Sequence, residues 1–143
     1  MNSCPLCHPE NEAVLWRDAQ CRIILVSDPD YPGFCRVIWR DHVKEMTDLT
    51  DSDRGHFMAV VFAVEQVLRE LLHPDKMNLA SLGNQAPHLH WHVIPRFTDD
   101  AHFPDPIWAA RKRHARTTGM DRALLVERLT RCFREALGLR AGF

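Results

Sequence analysis

The nine residues His88-Leu-His-Trp-His-Val-Ile-Pro-Arg96, "HLHWHVIPR", place histidines at positions 88, 90 and 92. Successive side chains of a strand point to opposite faces, so these three share one face while Leu89, Trp91 and Val93 share the other. Neighbouring histidines then lie roughly 7 Å apart along the strip. A buried row of imidazoles without partners is costly. A row on an open face can bind a metal or an anion, or supply a nucleophile. A merely exposed, His-rich strand is the plain alternative. A strict triple flanked by "GNQAP" and "IPR" weighs against it. The apolar face is expected to lie under a helix.

The rest of the chain supplies that helix. "TDSD" (Thr50–Asp53) reads as a capping box, with Thr50 as N-cap and Asp53 three residues on. Apolar residues at 57, 60, 61, 64, 67, 68, 71 and 72 then recur at helical spacing, and Pro74 ends the run. "AVLWRD" (13–18) and "CRIILVS" (21–27) read as strands around a tight Ala19-Gln20 turn, and "FCRVIWR" (34–40) as a third strand. "MNLASLG" (77–83) and residues 88–96 complete five strands. After a Pro-rich stretch from Phe97 to about Trp108, an amphipathic helix runs from about Asp121 to Leu137 and stops at Gly138. The fold class predicted is α+β: a mostly antiparallel five-stranded sheet, one long helix and a C-terminal helix. The length, 143 residues, suggests one domain over 1–143, with a core of about 4–97 and a C-terminal segment and helix over 98–143.

Composition narrows the partners. The chain is 45% hydrophobic and 26% charged, with a net charge of −1. No overall field draws it to nucleic acid or to a membrane surface. The first twenty residues lack a signal-peptide h-region, and no stretch is long and apolar enough to span a bilayer, so the expected location is cytoplasmic. Five cysteines, an odd count, argue against a disulfide framework. Cys21, Cys35 and Cys132 fit apolar patterns. "CPLC" (Cys4–Cys7) stands apart and can be read as zinc ligands, a redox dithiol, a disulfide or two unrelated thiols. A redox motif belongs at the start of a helix in a βαβ unit, which this segment is not.

"HLHWHVI" resembles the His-x-His-x-His-x-x signature of the histidine triad (HIT) superfamily of nucleotide hydrolases and transferases, x being mostly apolar. "RDHVKEMTDLTDSD" (40–53) is similar to the "PKxHxxxLxxL" segment that precedes the family's helix, and the resemblance runs from Cys4 to Arg96. It implies a HIT-like fold, a homodimer and cleavage at the α-phosphate of a nucleoside phosphate. His90 would be the nucleophile, forming a nucleotidyl-histidine that water or another acceptor resolves. The His88 carbonyl would take the other ring N–H of His90. His92 would face the phosphate and assist with its charge or with the leaving group. Asp28 would meet the ribose hydroxyls, or be only a turn-forming Asp before Pro29. Asn78 and Asn84 would line the phosphate site, Asn84 being equally readable as a turn residue.

The resemblance extends to a metal. Zinc-bearing HIT proteins use a paired Cys, the histidine of the "PKxH" segment and the first triad histidine, places filled here by Cys4, Cys7, His42 and His88. It implies a closed, structural Zn²⁺ that pins the N-terminal segment to the catalytic strand and leaves water unactivated. His8, adjacent to Cys7, is expected to point to solvent.

Three positions depart from the family pattern: Phe34 where a histidine is common, Trp39 where proline is common, and Asn84-Gln85 for the usual Gly-Gln. They bear on substrate preference rather than on the chemistry. His56, His73, His102 and His114 are expected on helices or the surface. "RKRHAR" (111–116) is expected to be a solvated face, and Trp108 a packed anchor. The function predicted is a nucleotide hydrolase or nucleotidyltransferase acting on dinucleoside polyphosphates or nucleoside phosphoramidates. The alternative is a zinc-stapled nucleotide-binding module with little turnover.

Overall fold

The computed structural model describes residues 3–116 and 120–138. Its elements are β1 (Ala13–Arg17), β2 (Cys21–Leu25), β3 (Cys35–Trp39), α1 (Asp51–Leu72), β4 (Lys76–Ala80), β5 (His90–Arg96) and α2 (Arg122–Leu137). The strands form one sheet in the order β1-β2-β3-β5-β4, and every neighbouring pair is antiparallel. The α+β class holds.

Period-2 alternation divides the sheet into two chemically distinct faces. Ile23, Leu25, Cys35, Val37, Trp39 and Val93 join the main core with α1 and α2. Helix α1 buries Phe57, Val60, Val61, Val64, Val67 and Leu68 against it. Each such residue contributes about 1.5–3 kcal/mol relative to exposure. On the opposite face Ile24 and Ile38 pack with Cys4 and Leu6 of the N-terminal segment. That segment therefore lies over the histidine side of the sheet. Pro95, in an interior strand, is tolerated because it falls beyond the last β3 pair, Cys35↔Val93, where β5 has only β4 beside it.

The helix ends follow local rules. Thr50 Oγ accepts from the Asp53 backbone N–H at 3.1 Å. The other half of the expected box is absent, because the Asp53 carboxylate accepts instead from Gln20 Nε2 at 3.0 Å and ties α1 to the β1–β2 turn. Helix α2 is capped by Asp121, which accepts from the Leu124 N–H. It stops at Gly138, whose φ of 79° suits glycine. The Gly138 carbonyl accepts from Trp16 Nε1, fixing the end of α2 to β1.

Two strand boundaries differ from expectation. β4 ends at Ala80 rather than Gly83, and Ser81 Oγ donates to the His90 carbonyl. β5 begins at His90, not His88. The paired ladder with β3 ends at Ile38↔His90; Trp39 N–H still donates to the Leu89 carbonyl, but Leu89 N–H turns to Val43 O and His88 N–H to Ala86 O. His88 is thereby free to aim its ring away from its two triad companions.

Candidate functional site

The histidine strip is not on an open face, as alternation alone suggested. His88, His90 and His92 are 1%, 8% and 6% exposed. The N-terminal segment, the loop around Gly83–Ala86 and Trp108 rise around the strip, while Ile24–Ser27 and Arg36 extend its floor. Together they enclose a cavity of about 1060 Å³, large enough for a nucleotide, with His90 and His92 in its wall. Distant parts of the chain build this wall, which is why the strand pattern could not show it.

Hydrogen bonds define the two rings. His90 Nδ1 lies 2.7 Å from the His88 carbonyl, so Nδ1–H donates and Nε2 is left with its lone pair. Arg36 Nε donates to His92 Nδ1 at 3.4 Å, which leaves the proton of a neutral His92 on Nε2. The rings meet nearly edge-on, 4.9 Å between centroids. Burial, the His90 charge and the Arg36 charge push His92 down to about 3. Burial also lowers His90, against the pull of the His88 carbonyl. The site thus presents one unprotonated nitrogen beside one N–H donor. That pairing suits attack on an electrophilic phosphorus whose oxygen needs a hydrogen bond.

The third histidine serves a different cluster. His88 Nε2 lies 2.6 Å from the Trp39 carbonyl, to which it donates. Its Nδ1 lies 3.5 Å from Cys4 Sγ and 3.3 Å from Cys7 Sγ, and His42 Nδ1 lies 3.4 Å from Cys7 Sγ. All four ligand-type atoms fall within 4.8 Å of one another. Tetrahedral Zn²⁺ with bonds of about 2.0–2.3 Å requires ligand atoms about 3.3–3.8 Å apart. The donor set fits. The His88 N–H to a backbone carbonyl is the support that a metal-binding imidazole uses. Burial and the adjacent Cys4 push the Cys7 thiol up, and a cation bound beside it would act in the opposite direction.

The profile of the HIT domain matches residues 9–99, more than half of the chain. The chain belongs to the HIT domain family. Its fold matches a histidine triad protein from Bradyrhizobium japonicum, with a TM-score of 0.72 and 26% identity over 95% of this chain and 96% of that one. A Zn-bound histidine triad family protein from Mycobacterium smegmatis gives a TM-score of 0.63 at 26% identity, over 94% of this chain and 93% of that one. A protein named AP-4-A phosphorylase from Mycobacterium tuberculosis is 30% identical over 105 residues, which are 69% of this chain and 54% of that protein. A protein named bis(5'-nucleosyl)-tetraphosphatase [asymmetrical] from Schizosaccharomyces pombe is 25% identical over 111 residues, 74% of this chain and 61% of that protein. The chain thus spans only 54–61% of the length of these two relatives.

Within this HIT fold the remaining candidates separate. Asn84 lies on the cavity wall. Asp28 lies outside the lining, where its carboxylate accepts from the Asp30 N–H and shapes the turn. Asn78 Oδ1 accepts from Arg96 Nη1 at 2.8 Å and belongs to a buried network rather than to the cavity wall. His8 is exposed along the cavity edge, apart from the four-atom cluster.

One expectation for the flanks is corrected. Trp108 is 52% exposed and stands edge-on to His92, 5.1 Å between centroids, as a cavity wall rather than a packed anchor. The basic run is exposed over residues 111–114, as expected for a solvated face, and is tied down by contacts: Arg111 pairs with Asp30, Lys112 with Asp105 and Arg116 with Asp99, while Arg113 donates to the Asp100 and Phe103 carbonyls. His56 pairs with Asp18 at 2.6 Å, and His102 stacks on Tyr31. Sequence reading missed Arg36. Its one signal was a charged residue in an apolar strand, two positions from Ile38 on the histidine face.

Proposed function

We propose that this protein is a nucleotide hydrolase or nucleotidyltransferase that cleaves at the α-phosphorus of a nucleoside phosphate through a nucleotidyl-His90 intermediate. The observation that carries the reading is the locked His90 ring, whose Nδ1–H is held by the His88 carbonyl, which leaves the lone pair on Nε2 of a side chain that lines a nucleotide-sized cavity. In the first step the Nε2 lone pair forms an N–P bond, and the bond from phosphorus to the leaving group breaks with its electron pair on that group. In the second, water forms a P–O bond, the N–P pair returns to Nε2 and a water proton passes to solvent. His92 Nε2–H donates to a phosphoryl oxygen throughout. Asn84 is a substrate contact from the loop. Asp28 and Asn78 would contact substrate only after leaving the partners described above. The names of the two relatives support dinucleoside polyphosphates as substrates, and phosphoramidates are the competing class.

The reading includes a structural Zn²⁺ held by Cys4, Cys7, His42 and His88, as the donor set and the Zn-bound relative favour. When bound it supplies the charge that keeps both sulfurs as thiolates. His88 would then link the two sites, its ring in the cluster and its carbonyl on His90. The reading extends to one HIT-like domain over 1–143, of which residues 1–2, 117–119 and 139–143 lie outside those described, and to a cytoplasmic homodimer. The odd number of cysteines suits a reducing compartment, and no described helix is long and apolar enough to cross a membrane. Light scattering tests the dimer; a monomeric mass at micromolar concentration would remove it.

Nucleotide release from diadenosine tetraphosphate and adenosine 5′-phosphoramidate, by wild type and His90→Ala, tests the activity. Wild type should release nucleotide and the variant should fall by about 10³-fold or more. Equal rates in both would overturn the assignment of His90.

A further inference from the structure

We propose that Arg36 is the anion-binding and specificity-determining residue of this cavity, contacting the phosphate that leaves and so favouring phosphoanhydride over phosphoramidate substrates. This inference rests on the nucleotidyl-transfer reading. The register places Arg36 directly across from Ile24 on one side and from His92 on the other, so Ile24, Arg36 and His92 form one row of the cavity lining. The guanidinium is half-buried, with its carbon 5.5 Å from the centre of the Phe34 ring. Nε is committed to His92 Nδ1. No described residue accepts from its two η nitrogens, which carry four further N–H donors.

Other arginines around the sheet are matched. Arg22 holds Glu12 through two contacts of 2.8 and 2.9 Å, which also claims the carboxylate nearest in charge to Arg36. Arg96 is paired with Asp100 and Arg111 with Asp30, and Arg122 donates to the Leu25 and Val26 carbonyls. Arg36 alone among these faces the cavity with donors to spare. Burial works against its charge, and a phosphate offers the planar acceptor pair that a guanidinium fork binds best.

The position selects a leaving group. His90 and His92 are consecutive on the histidine face of β5, and Arg36 lies one strand over from His92. With the α-phosphorus at His90, the Arg36 fork reaches the phosphates beyond it. When the bridging P–O bond breaks, its electron pair becomes added charge on the departing phosphate, and the guanidinium meets that charge without any proton transfer. Cleavage of a P–N bond instead requires a proton on the departing amine. Arg36 does not donate one at neutral pH, and its charge helps keep His92 neutral.

The test compares wild type, Arg36→Met and Arg36→Lys on diadenosine tetraphosphate and on adenosine 5′-phosphoramidate. It also titrates each protein with inorganic triphosphate by calorimetry. Circular dichroism checks each fold, and Arg36→Gln replaces the methionine variant should that one not fold. The expected result for Arg36→Met is a loss in kcat/KM about 10-fold or more larger on the tetraphosphate than on the phosphoramidate, where only the hydrogen bond to His92 is lost, with partial retention in Arg36→Lys and triphosphate binding that needs a cation at this position. Equal losses on both substrates, or undiminished triphosphate binding by Arg36→Met, would overturn the proposal while leaving nucleotidyl transfer intact. A wild type that turns over neither substrate but binds triphosphate through Arg36 would sink nucleotidyl transfer and keep the anion site.

Discussion

Asp100→Asn is expected to cost far more than its conservative shape suggests. Asp100 is 1% exposed and faces Arg96, itself 2% exposed. Its Oδ2 accepts from Arg96 Nε at 2.8 Å and Phe97 N–H at 3.0 Å. Its Oδ1 accepts from Arg96 Nη2, the His102 and Phe103 N–H groups and the Tyr31 hydroxyl. An amide supplies one acceptor oxygen, and its NH₂ must replace the other. With NH₂ at the Oδ2 place, two donors point at a donor. At the Oδ1 place, three do, even after the Tyr31 hydroxyl turns to accept. At least two buried donors are orphaned, each worth about 1–3 kcal/mol, and Arg96 loses its counter-charge. Breaking a buried pair in this way costs about 3–5 kcal/mol, a large share of a domain's stability. Asp99→Asn is the matched control. Asp99 is 66% exposed and pairs with Arg116 at 3.1 Å, an exposed contact expected to contribute about 0–1 kcal/mol. Urea unfolding at pH 7 measures both. A loss under about 1 kcal/mol for Asp100→Asn, equal to that of Asp99→Asn, would refute the account of the network.

Further outcomes follow from the same structure. Burial alone would raise the Asp100 carboxyl, but Arg96 and the N–H groups of Phe97, His102 and Phe103 hold it well below the usual carboxylate range. Its stabilisation is therefore complete above the unfolded value of about 3.9 and lost as pH falls below it, so the gap between wild type and Asp100→Asn should be constant from pH 6 to 8 and narrow below about pH 4. A gap that widens on acidification would reverse the sign of the argument. Protein purified without chelator should carry about one Zn²⁺ per chain, and Cys7→Ser should lose it together with thermal stability. Zinc-free wild type of undiminished stability would remove the metal. Trp108→Ala should raise KM for nucleotide several-fold with a smaller change in kcat, because Trp108 walls the cavity beside His92 without holding either ring nitrogen. An unchanged KM would place the nucleotide elsewhere.

Local patterns carried much of the architecture. The spacing of apolar residues from Phe57 to Leu68 marked the buried stripe of α1, and Thr50, Asp121 and Gly138 marked helix ends. The alternation of residues 88–93 correctly separated a polar face from a core face. Local pattern could not show what lay over the polar face: the family resemblance alone brought the N-terminal segment there, through Cys4 and Cys7, and nothing brought Trp108. Arg36 was missed for a related reason: its neighbour across the sheet, His92, is fixed by the β3–β5 register and not by local sequence. Asn78 was credited to the phosphate site because a lone amide gives no sign that Arg96 will claim it. The basic run is exposed as its composition suggested, but its tie to Asp30 was illegible because that carboxylate is remote in sequence.

Trapping the covalent intermediate tests the central claim most directly. Wild type mixed with diadenosine tetraphosphate, quenched within milliseconds at alkaline pH to preserve a phosphoramidate bond, and digested for mass spectrometry should yield the peptide containing His90 with one added nucleotidyl group. Fragmentation should place that group on His90, and the adduct should be absent from His90→Ala. Nucleotide released at full rate with His90 unmodified at every quench time, or the nucleotidyl group found on another residue, would contradict the account.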